Sequence, residues 1–169
     1  EMAAPGMAEA GDMVWLDGKT LLVGRGYRTN AAGIEQLRGL LEPNGVQVIA
    51  APLPHCGGPA LCLHLMSLMS MLDERTVLVD MDWLAVETIE LLREREFRFI
   101  EIDPEERLTL ACNVLSLGEG RLLALAENAK TNARLGAAGF DVRTFPGSEG
   151  AINGGGGPTC LTRPILRRV

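Results

Sequence analysis

Three stretches of this chain repeat one order of local signals, and that repeat restricts the fold more than any other feature. In the first, short apolar runs at 13–16 and 21–23 flank Asp17-Gly18, a pair suited to a hairpin turn. Asn30 stands where an N-cap belongs, ahead of Ile34, Leu37, Leu40 and Leu41 at helical spacing. Pro43-Asn44-Gly45 stops that helix, and 46–53 is rich in strand formers. In the second, 61–72 reads as a strand, Asp73-Glu74-Arg75 as a turn and 76–81 as a strand. Asp82 then caps a helix bearing Trp83, Val86, Ile89 and Leu92, and 97–102 closes the unit. In the third, 113–117, 121–126, a helix over 129–138 and 140–145 follow the same order.

The helix-to-strand junctions fall at Gly45, Glu96 and Gly139, spaced by 51 and 43 residues. The expected fold is therefore mixed α/β, with ββαβ units at 13–53, 61–103 and 113–147 in one domain. A final strand over 159–166 completes the pattern. Such units cannot bury their apolar faces alone and must pack on neighbours.

Composition excludes several classes of protein. With 16 Lys+Arg against 22 Asp+Glu and no basic stripe, nucleic acid is not an expected partner. No run of 18 apolar residues exists, so no membrane-spanning helix is expected. Four cysteines in 169 residues are too few for a dense disulfide framework. With no apolar leader in the first dozen residues, a reduced, cytoplasmic setting is expected.

Two residues suggest chemistry. Cys160 follows the glycine run 154–157, where backbone can approach a ligand closely, and the thiol is placed to be exposed. The alternative is a small buried hydrophobe, the commoner fate of a free cysteine. His64, in Cys62-Leu63-His64-Leu65-Met66-Ser67, is read as mid-strand, with Cys62, His64 and Met66 on one face. Alone it is a structural histidine; paired with a thiol it becomes an acid/base, because Cys–His is the usual way to activate sulfur. His55-Cys56 and Cys62-x-His64 have zinc-ligand types but lack zinc-site spacing, so neither metal nor cofactor is expected. Arg28 can grip a carboxylate in bidentate fashion or lie on the surface. Gly24-Arg25-Gly26 lacks the third glycine of a dinucleotide fingerprint.

Taken together, Glu9-Ala10-Gly11-Asp12, Arg28-Thr29-Asn30, Leu63 to Ser67, Ala111-Cys112-Asn113 and Gly156-Gly157-Pro158-Thr159-Cys160 resemble the C-terminal part of dimethylarginine dimethylaminohydrolases. These are guanidino-group-modifying enzymes, related to arginine deiminases and amidinotransferases. The resemblance covers essentially the whole chain and implies a five-bladed α/β propeller of ββαβ units. It implies Cys160 as nucleophile, His64 as catalytic histidine, Glu9 as the acid orienting it, and Arg28 as the anchor for a substrate carboxylate. The thiolate would attack the guanidinium carbon and His64 would protonate the departing amine. His64 would then act as base in hydrolysis of the S-alkylthiouronium. The loops bearing Glu9, His64 and Cys160 are expected to converge.

Where arginine deiminases carry an Asp two residues after the histidine, and dimethylarginine hydrolases commonly a Lys, this chain has Met66. Deiminase and amidinotransferase activities stand as alternatives. A non-catalytic binding module of the same fold is the alternative from another class. Five units need roughly 250 residues at about 50 each, and only three are present. Asp12 is the nearest candidate to pair with a guanidinium, though the turn beside Glu9 suits it better. With Glu1 first, the chain is expected to be a fragment, completed by an N-terminal half or a partner chain.

Overall fold

The computed structural model describes residues 2–162. It contains nine strands and three α-helices in the repeated order that the sequence predicts. The first repeat comprises β1 (Met13–Asp17), β2 (Thr20–Arg25), α1 (Ala31–Leu41) and β3 (Gln47–Pro52). The second comprises β4 (Met69–Met71), β5 (Thr76–Val79), α2 (Val86–Glu94) and β6 (Arg98–Glu101). The third comprises β7 (Leu115–Gly118), β8 (Arg121–Leu125), α3 (Ala129–Ala137) and β9 (Asp141–Phe145).

Each repeat builds a three-stranded sheet by one rule. The first two strands form an antiparallel hairpin, and the third returns parallel to the second after a helix. A tight turn serves the antiparallel pair, whereas a parallel return needs a crossover. In the first two hairpins an aspartate sets the turn: Asp17 accepts from the Lys19 amide and Asp73 from the Arg75 amide, both at 2.7 Å. The helix-to-strand junctions at Gly45, Glu96 and Gly139 are all left-handed, with φ of 79°, 60° and 98°. This is the common way to end a helix.

The contacts divide the described residues into two compact units, 2–68 with Asp82–Arg95, and Met69–Met81 with 96–162. In the first, Ile34 on α1 meets Leu21, Val23 and Val48 of the sheet, with Leu37 and Leu41 at the margin. Leu40 shares their helical spacing but points to solvent, 63% exposed. Helix α2 packs against β3, and Arg95 at its end donates to Asp17, Thr20 and Gln47. In the second unit, Leu78, Ile100, Leu122, Ala124 and Leu135 join both sheets and α3 in one core around the buried Cys112.

Four sequence expectations are corrected. The run 61–72 is not one strand; its first part is bend and irregular backbone, with Leu63 N bonded back to Leu61 O, Leu65–Ser67 is a 3-10 turn, and only Met69–Met71 pairs. Asp82 does not cap α2, because the chain turns first and Ala85 occupies the cap position. Val86 is consequently 68% exposed instead of packed. Residues 159–162 are turn and bend, not strand, and the rest of the expected 159–166 strand lies outside the described residues.

Asn30 is the cap the sequence predicts, and it does more. Its Oδ1 accepts from Gly33 N (2.8 Å) and Met7 N (3.1 Å), and its Nδ2 donates to Pro5 O (2.8 Å). The N-terminal segment is thereby laid across the start of α1. At Gly33 the fit leaves no room for a side chain: a Cβ would lie 2.1 Å from Met7 O. Asn30→Ala is expected to cost about 1–2 kcal/mol, the upper range for a lost cap, read as a lower midpoint in urea unfolding. Asn30→Asp, which keeps the cap but not the bond to Pro5, should recover most of that loss.

Candidate active site

In the first unit the functional candidates gather around Glu9. The segment ahead of β1 makes a 3-10 turn at Ala10–Asp12, and Thr29 fastens it by accepting from the Glu9 amide at 3.0 Å. Glu9 then uses both carboxylate oxygens. Oε2 accepts from His64 Nε2 at 2.7 Å, and Oε1 pairs with Arg28 at 2.9 Å. Burial works against ionisation of Glu9, but the hydrogen bonds from His64 and Arg28 outweigh it and hold its pKa below the usual glutamate range. A carboxylate on Nε2 keeps the ring proton there and leaves the lone pair on Nδ1. That nitrogen lies 3.7 Å from Sγ of the exposed Cys62.

Asp12 is fully buried and also engaged at both oxygens. Oδ2 accepts from the Thr29 hydroxyl (2.6 Å) and Oδ1 from the Leu65 amide (2.9 Å). Its carboxylate therefore serves the turn, and by catching Leu65 it bends the chain immediately after His64. This long-range bond is why 61–72 is not a continuous strand. Burial raises the Asp12 pKa, opposed by the bonds from Thr29 and Leu65. A raised acid pKa means the folded state holds its proton more tightly than the unfolded chain. This contribution to stability is complete below the unfolded aspartate value and is lost as pH rises through the folded one. Asp12→Asn keeps an acceptor for Leu65 and can donate to Thr29. Its stability measured against pH by urea titration should lack that decline; an identical slope in both proteins would contradict it.

Arg28 is half-exposed, with one guanidinium nitrogen on Glu9 and a buried Nε that has no hydrogen-bond partner among the described residues.

In the second unit Cys160 sits in a turn and is exposed. The buried amide of Asn113 donates to its Sγ at 3.1 Å and accepts from both Thr159 N (2.9 Å) and Thr159 Oγ1 (2.7 Å). Gly157 lies flat on that amide, where a Cβ would come within 2.6 Å of Asn113 Cγ. Cys112, its neighbour in sequence, is only 2% exposed, and burial pushes its thiol pKa well up. Among the described residues no cluster of three His, Cys, Asp or Glu side chains could hold a metal ion. Nor is any helix there long and apolar enough to cross a membrane.

Sequence reasoning named Glu9, His64, Cys160, Arg28 and Asp12, and the structure brings four of them together in the first unit. It missed the contact between Arg28 and Glu9, the approach of Cys62 to His64 Nδ1, and the bonds from Asn113. Only Ala111-Cys112-Asn113, a polar residue ending an apolar stretch, could have pointed to the last.

Comparison with known proteins identifies the family. The family model described as arginine deiminase matches residues 2–93 and 83–167. A dimethylarginine dimethylaminohydrolase of Streptomyces coelicolor is 34% identical over 163 residues, covering 94% of this chain and 54% of that protein. An arginine deiminase of Mycobacterium avium is 31% identical, covering 94% and 46%. Among solved structures, the enzyme of Pseudomonas aeruginosa called DDAH, complexed with citrulline, superposes with a TM-score of 0.69 at 28% identity, over 88% of this chain and 52% of that one. An amidinotransferase of Microseira wollei shares the fold with a TM-score of 0.80 at 21% identity, over 95% and 48%. The chain belongs to the arginine deiminase family, as a dimethylarginine dimethylaminohydrolase-like member of the amidinotransferase superfamily. It spans about half the length of the curated relatives it matches.

Proposed function

We propose that this chain carries the nucleophile and the acid/base pair for hydrolysis of a guanidino C–N bond. The substrate is arginine-like or a methylated arginine, and the products are a ureido compound and an amine. The Cys160 thiol passes its proton to Nδ1 of His64 and attacks the guanidinium carbon as thiolate; His64 then gives that proton to the amine nitrogen as its C–N bond breaks. Water then displaces the sulfur with His64 as base, and Glu9 holds the imidazole throughout. Arg28 presents its remaining N–H groups to the substrate carboxylate. The three ββαβ repeats are three blades of a five-bladed ring, whose remainder a further part of the protein or a partner chain supplies.

The observation that carries this reading is the double engagement of Glu9. One carboxylate orients a histidine and anchors an arginine in a chain whose family relatives include guanidino hydrolases. A binding module has no use for an imidazole held in one tautomer.

The test is product analysis with arginine, monomethylarginine and dimethylarginine, on this chain together with the length it lacks relative to its relatives. A ureido product, with the intermediate trapped on the Cys160 peptide by mass spectrometry, is the expected result. Exclusive transfer to an acceptor amine would refute hydrolysis. Faster turnover of arginine than of either methylated substrate would select the deiminase reading.

A further inference from the structure

We propose that Asn113 is a positioning residue for the Cys160 thiol, supplying the N–H that points the sulfur and stabilises it as the thiolate. The inference rests on the reading of Cys160 as nucleophile and deepens it.

The orientation of the Asn113 amide follows from its partners. Thr159 N can only donate, so the atom 2.9 Å from it must be the amide oxygen. The NH2 group is thereby turned onto Sγ, 3.1 Å away. Rotation of the amide is blocked, because Oδ1 also accepts from the Thr159 hydroxyl and Gly157 packs against Cγ.

The far end of the same segment is tied as well. The Glu127 carboxylate accepts from Gly147 N (2.8 and 3.1 Å) and Ser148 N (2.8 Å). The loop carrying Cys160 is thus held at its entry by backbone bonds to an acid and at its exit by one amide. A donor fixed on sulfur favours the charged form over the neutral thiol, since hydrogen bonds to ions are the stronger kind.

The experiment is alkylation of the 169-residue chain with iodoacetamide over a range of pH, each cysteine quantified by peptide mass spectrometry. Asn113→Ala removes the donor. Asn113→Asp keeps the shape and the acceptor for Thr159 but puts a carboxylate oxygen on sulfur. Both should slow Cys160 alkylation at pH 7 by about ten- to a hundredfold, the range for a hydrogen bond to a charged group. Both should also move its pH profile upward. A loop that merely loosened would change the rate at every pH alike and leave the profile in place.

Buried Cys112 is the internal check on folding, staying unlabelled in any folded variant. If Asn113→Ala exposes it, Asn113→Asp, which retains both Thr159 bonds, decides the matter. An unmoved profile in a folded variant overturns the role of Asn113. Turnover that survives Cys160→Ser in the completed protein overturns the nucleophile reading instead, so the two failures are distinguishable.

Discussion

Assayed alone, the 169-residue chain is expected to turn over guanidino substrates at least a hundredfold more slowly than a protein that also carries the remaining length of its relatives. A guanidinium leaving water for a cleft needs carboxylates to receive it. The acids nearest His64 are committed elsewhere: Glu9 to His64 and Arg28, and Asp12 to Thr29 and Leu65. Leaving a buried charge without its partner costs roughly 3–5 kcal/mol. At 1.36 kcal/mol per factor of ten, that is about a hundred- to several-thousandfold in rate. Adding the other half in cis or in trans should restore turnover, and Cys160→Ser in the restored protein should abolish it. Substantial activity of the homogeneous chain alone would show that other residues grip the cation.

In the completed protein, His64→Ala is expected to lower kcat by about 10²–10⁴, the usual contribution of a positioned acid/base. Glu9→Gln should cost less, about ten- to a hundredfold, because it weakens one charge-assisted hydrogen bond without removing the imidazole. The acid side of the pH profile separates the two roles. The Glu9 pKa is depressed in the folded protein, so its bond to His64 is present above the unfolded glutamate value. The bond is lost only as pH falls through the lower folded one. Wild type should therefore keep its imidazole oriented to a lower pH than an ordinary glutamate allows, and Glu9→Gln should lack that limb. Identical profiles would mean that Glu9 serves Arg28 alone.

The repeat was legible because its determinants are local. Hairpin turns at Asp17 and Asp73, the Asn30 cap and the left-handed junctions at Gly45, Glu96 and Gly139 are each written within a few residues. The same reasoning failed at 61–72, where Leu61, Leu63, Leu65, Leu68 and Leu72 read as a strand whatever the chain does. It failed at Asp82 for a related reason. An aspartate before an apolar run looks like a cap, yet the turn ahead of α2 moves the helix start to 86.

The sequence alone determined the three ββαβ units, since these rest on short-range periodicity and local turn and cap signals, while Cys160 could be read there as exposed or buried and the structure makes it exposed. Tertiary structure alone decided how His64 is held. The Asp12 carboxylate, 53 positions from Leu65 in the chain, captures the Leu65 amide and breaks the strand, while Glu9 takes His64 across 55. It likewise decided that Asn113 meets Cys160 across 47 positions. A hydrogen bond between residues that far apart leaves no periodic trace in the sequence, because its geometry exists only once the intervening sheets and turns have brought the two ends together.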